Sequence, residues 1–225
     1  MEVLALKGGF SSWKAESGFL VVLGVLLVSQ SGFGEAPDLS EFLDRGDTAR
    51  RLEKGELVVF KGPKFDEVFG KDFVHGGRRS LVLFLVSKPP GTTWGLLNDF
   101  DEHYTFMPRV TESKIEWNRK NEYCIRYRYE ILWTDSTNYL FVRCDDDTMT
   151  LVWKLDAKRS DNRLDGLNAF WSVRKYDDRR TLIAIFRNLK QSSAFDALAS
   201  KLLVSPRSGA KAVRRHIESS SKQAD

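Results

Sequence analysis

Three histidines, two cysteines and one run of aspartates are the side chains in this sequence whose types invite chemistry. His75 adjoins Gly76-Gly77, His103 sits beside Asp101 and Glu102, and His216 follows Arg214-Arg215. None of these lies four residues from a second histidine, so the paired spacing of a helical zinc site is missing. His103 reads as an exposed polar residue of a short helix, the usual lot of a histidine among acidic neighbours. Asp145-Asp146-Asp147 lacks the alternating oxygen ligands and closing glutamate of a calcium loop and reads as a hairpin turn. No glycine-rich phosphate loop and no nucleophile elbow occurs. The residues therefore name no catalytic site and no metal site, and no cofactor is expected.

What remains is aromatic. Of 225 residues 12% are Phe, Trp or Tyr, among them six Trp. Such large rigid rings serve either a core or a pocket. In residues 123–133 they alternate: Tyr123, Ile125, Tyr127, Tyr129, Ile131 and Trp133 share one face, and Cys124, Arg126, Arg128, Glu130 and Leu132 share the other. That is a long strand with an aromatic side and a wet side, which puts Arg126 and Arg128 in solvent. The aromatic side suits packing under a helix, and it equally suits the wall of a cavity.

The elements that would carry this strand follow from periodicity and punctuation. Residues 80–87 form a continuous apolar strand that ends at Pro89-Pro90. Two short helices are expected over 92–100 and 101–107. A succession of strands follows, near 110–117, 123–133, 138–144, 148–157, 163–176 and 181–189, with short polar breaks that imply antiparallel neighbours. Residues 195–203 read as helical, and Pro206 opens a longer helix to about residue 219. Before all this, residues 38–53 read as a short helix or paired turns and 56–60 as a short strand. A curved antiparallel sheet needs its apolar face covered, and the terminal helix is the cover at hand.

Residues 1–36 stand apart. An apolar run at 18–28 follows Lys7 and Lys14 and precedes a small-residue stretch at 29–36, the layout of a secretory signal peptide. The run is too short for a spanning helix. Cleavage and export to the periplasm or the medium is the expected outcome, with retention as an anchor over 18–36 the competing one. In an oxidising compartment Cys124 and Cys144 could pair if the hairpin joining their strands centres on Thr134; a half-residue shift breaks that alignment. The remaining composition is ordinary: 42% hydrophobic and 29% charged residues, with a net charge of +4 spread along the chain. That excludes a disordered tail and a many-span membrane protein, and the scattered basic pairs exclude a concentrated nucleic-acid-binding stripe.

Residues 86–110 contain Trp94, Asp99-Phe100, Tyr104, Phe106, Met107 and Pro108. This stretch resembles the opening of the START-like, or SRPBCC, superfamily, and residues 166–173, ending near Trp171, resemble that family's glycine-to-tryptophan strand. The resemblance covers residues 56–219 and is strongest toward the polyketide cyclase/dehydrase and coenzyme Q-binding branches. It implies an α+β helix-grip fold: a curved antiparallel sheet wrapped around a long C-terminal helix, with two short helices after the first main strand. The expected organisation is a leader over 1–36, an N-terminal extension over 37–78 and the helix-grip domain over 79–225. The expected function is that of a monomeric, non-catalytic carrier of a hydrophobic molecule, a lipid or isoprenoid quinone, with a membrane surface as a further contact. Tyr127, Tyr129, Ile131, Trp153, Trp171 and Phe106 are the expected ligand-binding residues. An aromatase/cyclase- or dehydratase-type enzyme is the alternative.

Overall fold

The computed structural model describes residues 36–131, 134–161, 164–192 and 205–220. The expected leader and the expected helix at 195–203 lie outside the described residues. Two short helices, α1 (Ser40–Leu43) and α2 (Thr48–Glu53), lead to strand β1 (Val58–Lys61) and a further turn of helix, α3 (Asp66–Phe69). Then come β2 (Arg78–Val86), α4 (Pro90–Leu97) and α5 (His103–Phe106). Six strands follow: β3 (Val110–Arg119), β4 (Glu122–Ile131), β5 (Thr134–Asp145), β6 (Thr150–Leu155), β7 (Leu164–Lys175) and β8 (Thr181–Gln191). The described part ends with α6 (Pro206–Ser219).

All eight strands form one antiparallel sheet in the order β1-β2-β8-β7-β6-β5-β4-β3. Strands β3 to β8 are a meander, as the short polar breaks require. Only the α4–α5 crossover departs from neighbour-to-neighbour pairing, carrying the chain from β2 to the far edge at β3. Bulges where β3 meets β4 and where β7 meets β8 add bend to strands that must curl. The concave face buries Val82, Phe84, Ile125, Leu140, Trp153 and Ile183 against α6. Helix α6 contributes Ala210, Val213 and Ile217 at helical spacing, while Arg207, Lys211 and Arg215 face solvent. It begins where the sequence says it should: Pro206 occupies the first turn and the Ser205 hydroxyl accepts from the Ser208 N–H at 3.0 Å.

The convex face is equally apolar. Leu81, Leu83, Phe170 and Phe186 point outward, and the segment before β2 covers them with Leu39, Phe42, Phe65 and Phe69. Phe65 packs edge-on to Phe170 and Phe186 at 4.9 and 5.1 Å. The extension thus supplies a second core, and its β1 is the edge strand of the sheet. Near-continuous apolar strands such as β2 and β8 are what a sheet covered on both faces needs.

Two cross-strand asparagines, Asn168 on β7 and Asn188 on β8, clamp this covering segment. The Asn168 side chain accepts from Val74 N–H at 2.6 Å and donates to Asp72 C=O at 3.1 Å, and Asn188 donates to Val74 C=O at 2.5 Å. The approach is close enough that a Cβ on Gly166 would meet the Val74 side chain at 2.8 Å. Asn168→Ala is expected to destabilise the protein by about 2 kcal/mol, since two backbone groups lose their buried partner. Urea unfolding should show a lower midpoint at an unchanged m-value; an unmoved midpoint would assign the hold to the phenylalanines alone.

Candidate functional site

Helix α6 does not fill the concave face. Between it and strands β4 to β8 lies a cavity of about 230 Å³, room for roughly eight water-sized groups at about 30 Å³ each. Its wall is mostly apolar and aromatic, with Tyr127, Tyr129, Trp153 and Trp171 from the sheet and Gly209, Ala210 and Val213 from α6. One end reaches Gln191 and Ser205. The parity of 123–131 places the tyrosines there: Ile125 and Tyr127 are buried while Arg128 and Glu130 are exposed. Arg126 sits on the outer face, held by Glu112 at 2.7 Å and Glu116 at 2.8 Å.

Of the residues expected to bind ligand, Tyr127, Tyr129, Trp153 and Trp171 line the cavity. Phe106 packs beside it, stacked on His216 at 4.0 Å and edge-on to His103 at 5.1 Å. Strand β4 ends at Ile131, whose side chain lies outside the described residues.

His103 overturns the sequence reading. It is fully buried, not exposed, and its neighbour Tyr104 takes the solvent position at 47% exposure. The ring stacks on Trp171 at 5.5 Å and lies among Phe100, Phe106 and Trp153. Its Nε2 lies 3.0 Å from the Leu97 carbonyl, which can only accept, so Nε2 carries the proton. Its Nδ1 then accepts from the Tyr127 hydroxyl in a short hydrogen bond. Burial pushes the His103 pKa down to about 4, with nearby His216 adding to the depression against the opposing pull of the Leu97 carbonyl and Asp99. Burial pushes the Tyr127 phenol well above its ordinary 10. Both groups are neutral across the physiological range, and the tyrosine proton is committed to the histidine.

Arg187 is the second residue missed by the sequence reading. It shares the inward parity of β8 with Ile183, Ile185 and Leu189 and lines the cavity. Burial lowers the pKa of its guanidinium. Register places it in a row across the sheet: Ser80 on β2, Arg187 on β8, Ala169 on β7 and Trp153 on β6. The Trp153 indole N–H and the Asn138 side-chain oxygen are buried in the cavity wall with no hydrogen-bond partner among the described residues.

The cysteine pairing fails on register. Ile131 pairs Thr134, which centres the hairpin between residues 132 and 133, and Cys124 therefore faces Phe141. Cys144 packs into the concave core, whereas Cys124 lies on the other face, within 3.3 Å of the Arg159 guanidinium. Both thiols are free. The aspartate run is a turn: Asp145 accepts from Thr148 N–H at 3.0 Å, and Asp146 accepts from the Trp94 indole at 2.8 Å, which ties α4 to the β5–β6 hairpin.

No protein-family model matches the chain, and no curated protein matches it in sequence. Solved structures do. The chain is similar to the Zhui aromatase/cyclase from Streptomyces sp. R1128, at 12% identity over 62% of this chain and 90% of that one, with a TM-score of 0.55. It is similar to a STAR-related lipid transfer protein from Xanthomonas axonopodis, at 13% identity over 83% of this chain and 98% of that one, with a TM-score of 0.53. A START superfamily protein from Mycobacterium smegmatis matches at 15% identity over 62% of this chain and 97% of that one, with a TM-score of 0.52. The Xanthomonas overlap is longer than residues 79–225 and so takes in part of the covering extension. At such identities the likeness establishes the fold alone: this is a START-like helix-grip fold.

Proposed function

We propose that the chain is exported and serves as a non-catalytic carrier that holds a hydrophobic molecule, a lipid or the ring of an isoprenoid quinone, in the cavity beneath α6. The observation that carries this reading is the aromatic cavity itself, whose one histidine–tyrosine pair is locked neutral. The Tyr127 hydroxyl donates to His103, whose pKa burial holds down at about 4 while burial also pushes the phenol up, so neither group is poised for acid–base turnover at neutral pH. The cavity is smaller than the roughly 300–1,000 Å³ of common ligand sites, so a long-chain ligand leaves part of itself outside. The outer face of α6 carries the exposed Arg207, Lys211 and Arg215, which suits delivery at an anionic membrane surface. Export rests on the pattern of residues 1–36. No helix among the described residues is long and apolar enough to cross a membrane.

Native mass spectrometry on protein recovered from the periplasm of a bacterial host tests the reading. A reproducible adduct that solvent extraction identifies as apolar, at the mass of a chain lacking the leader, is the expected result. An empty protein that takes up no apolar molecule would overturn the carrier, and a full-length chain retained in membranes would replace export with anchoring. The catalytic alternative, a cyclase- or dehydratase-type enzyme, has one observation in its favour: Tyr127, backed by His103, shares the cavity with Arg187. Incubating the extracted molecule with the protein separates the two. A carrier returns it unchanged, whereas an enzyme converts it and loses that conversion in Tyr127→Phe.

A further inference from the structure

Two polar atoms in the cavity wall ask opposite things of a ligand. The Trp153 indole N–H can only donate, and the Asn138 side-chain oxygen can only accept. Their residues are 3% and 4% exposed, and neither atom has a hydrogen-bond partner among the described residues. The hydroxyls beside them on the same wall are committed elsewhere. Tyr127, paired with Asn138 across β4 and β5, gives its proton to His103. Ser136, two residues along β5 on the same face, donates to Asp161 at 2.8 Å. Tyr127 also links the two orphaned groups: its ring lies 6.2 Å from the Trp153 ring, so a ring-sized body lying against it reaches both. A buried polar atom left dry costs more than a satisfied one gains. A hydrocarbon filling this space would displace the water that serves these atoms and offer nothing in exchange. Quinones, esters, ethers and carboxylates only accept, which answers the indole and leaves the amide oxygen dry. A hydroxyl gives and takes at once. The amide can turn, and a hydroxyl meets either of its ends.

We infer that the cavity selects a neutral alcohol or phenol, its oxygen accepting from the Trp153 N–H, its O–H donating to the Asn138 side-chain oxygen, and its apolar body lying among Trp171, Tyr129 and α6. This rests on the carrier reading and makes it specific: the cargo bears a free hydroxyl, a quinol in place of a quinone or an alcohol in place of its ester.

The test uses matched pairs that differ by one methyl group on oxygen: decanol against decyl methyl ether, and 2-naphthol against 2-methoxynaphthalene, with decanoate as the charged comparison. Calorimetry at pH 7 reads the binding. The wild-type protein is expected to bind each hydroxyl compound at least about 10-fold more tightly than its ether, and decanol more tightly than decanoate. Asn138→Leu keeps the branched shape and removes the acceptor. It should bring decanol to within a few-fold of the ether and leave the ether's own affinity within a few-fold of wild type. The wild-type ratio needs no variant, so a poorly folded Asn138→Leu leaves the test standing. Ethers bound as tightly as the hydroxyl compounds, or decanoate bound more tightly than decanol, would overturn the hydroxyl inference and leave the carrier intact. Equal losses of decanol and ether affinity in a folded Asn138→Leu would make the amide a structural part and overturn it as well. A protein that binds none of the probes would overturn both.

Discussion

Replacing His103 with alanine is expected to lower the melting temperature by about 10–20 °C, a large stability loss for a side chain packed behind the cavity wall. The imidazole fills space among Phe100, Phe106, Trp153 and Trp171, and deleting such a ring leaves a void costing roughly 2–3 kcal/mol. It also strands the Tyr127 hydroxyl and the Leu97 carbonyl, each buried, at about 1–3 kcal/mol apiece. The lower part of that sum, about 4–6 kcal/mol, is already a large share of the roughly 5–15 kcal/mol that holds an ordinary domain together. The same residue makes the fold acid-sensitive. His103 takes up its proton near pH 6.5 in the unfolded chain but only near 4 in the folded one. Between those values the unfolded state binds more protons, so stability is full above about pH 6.5 and falls as pH is lowered toward 4, by about 3 kcal/mol from this group. His103→Leu keeps much of the packing and removes the titration. Melting curves at pH 7 and pH 4.5 should differ far less in the variant than in the wild type. Parallel losses in both proteins would place the acid sensitivity elsewhere.

His103 is also where sequence and structure part company most instructively. The fold was legible because its signals are local or periodic. Pro89-Pro90 opens α4, Pro206 opens α6, and the alternation in residues 123–131 places Tyr127 and Tyr129 inside and Arg126 and Arg128 outside. These depend on neighbours two to four residues away. The burial of His103 depends on Tyr127, twenty-four residues on, and on Trp171, across several strands. A four-residue helix has too little periodicity to declare its inner face, and hydropathy would have buried Tyr104 in its place. The cysteines failed for a related reason: their pairing needed the hairpin centre to within half a residue, and the loop sequence does not fix that. Arg187 is different, since a signal was present. Ile183, Ile185 and Leu189 share its parity and mark that side of β8 as inward. The signal was masked because Leu182, Ala184 and Phe186 on the opposite face are just as apolar, and a strand covered on both sides shows no contrast from which to read its faces.

Filling the cavity should abolish binding without unfolding the protein, and Ala169→Phe is the substitution that does so. Ala169 is the smallest side chain in the row between Arg187 and Trp153, and the space above it is the cavity floor. A benzyl group there occupies much of the 230 Å³ and covers the guanidinium, so affinity for any ligand seated on the concave face is expected to drop by 100-fold or more, by about 3 kcal/mol. The fold should tolerate it, because the ring enters a void and not a packed core, where insertion usually costs about 1–3 kcal/mol. Ala184→Phe is the matched control. Ala184 lies one strand over on the convex face, fully buried among Leu83, Phe170 and Phe186, with no empty volume to receive a ring. It should lose stability by the overpacking amount and keep its affinity. Chemical unfolding and tryptophan-monitored titration with decanol, run on both variants, therefore give opposite patterns: binding lost with stability kept for residue 169, stability lost with binding kept for residue 184. If Ala169→Phe binds like the wild type, the ligand sits elsewhere on the molecule and the concave cavity is only a gap in packing. The opposed pattern would show that the two faces of one sheet have been divided between two tasks, the outer face closed by the phenylalanines of the extension and the inner face left incompletely filled by α6.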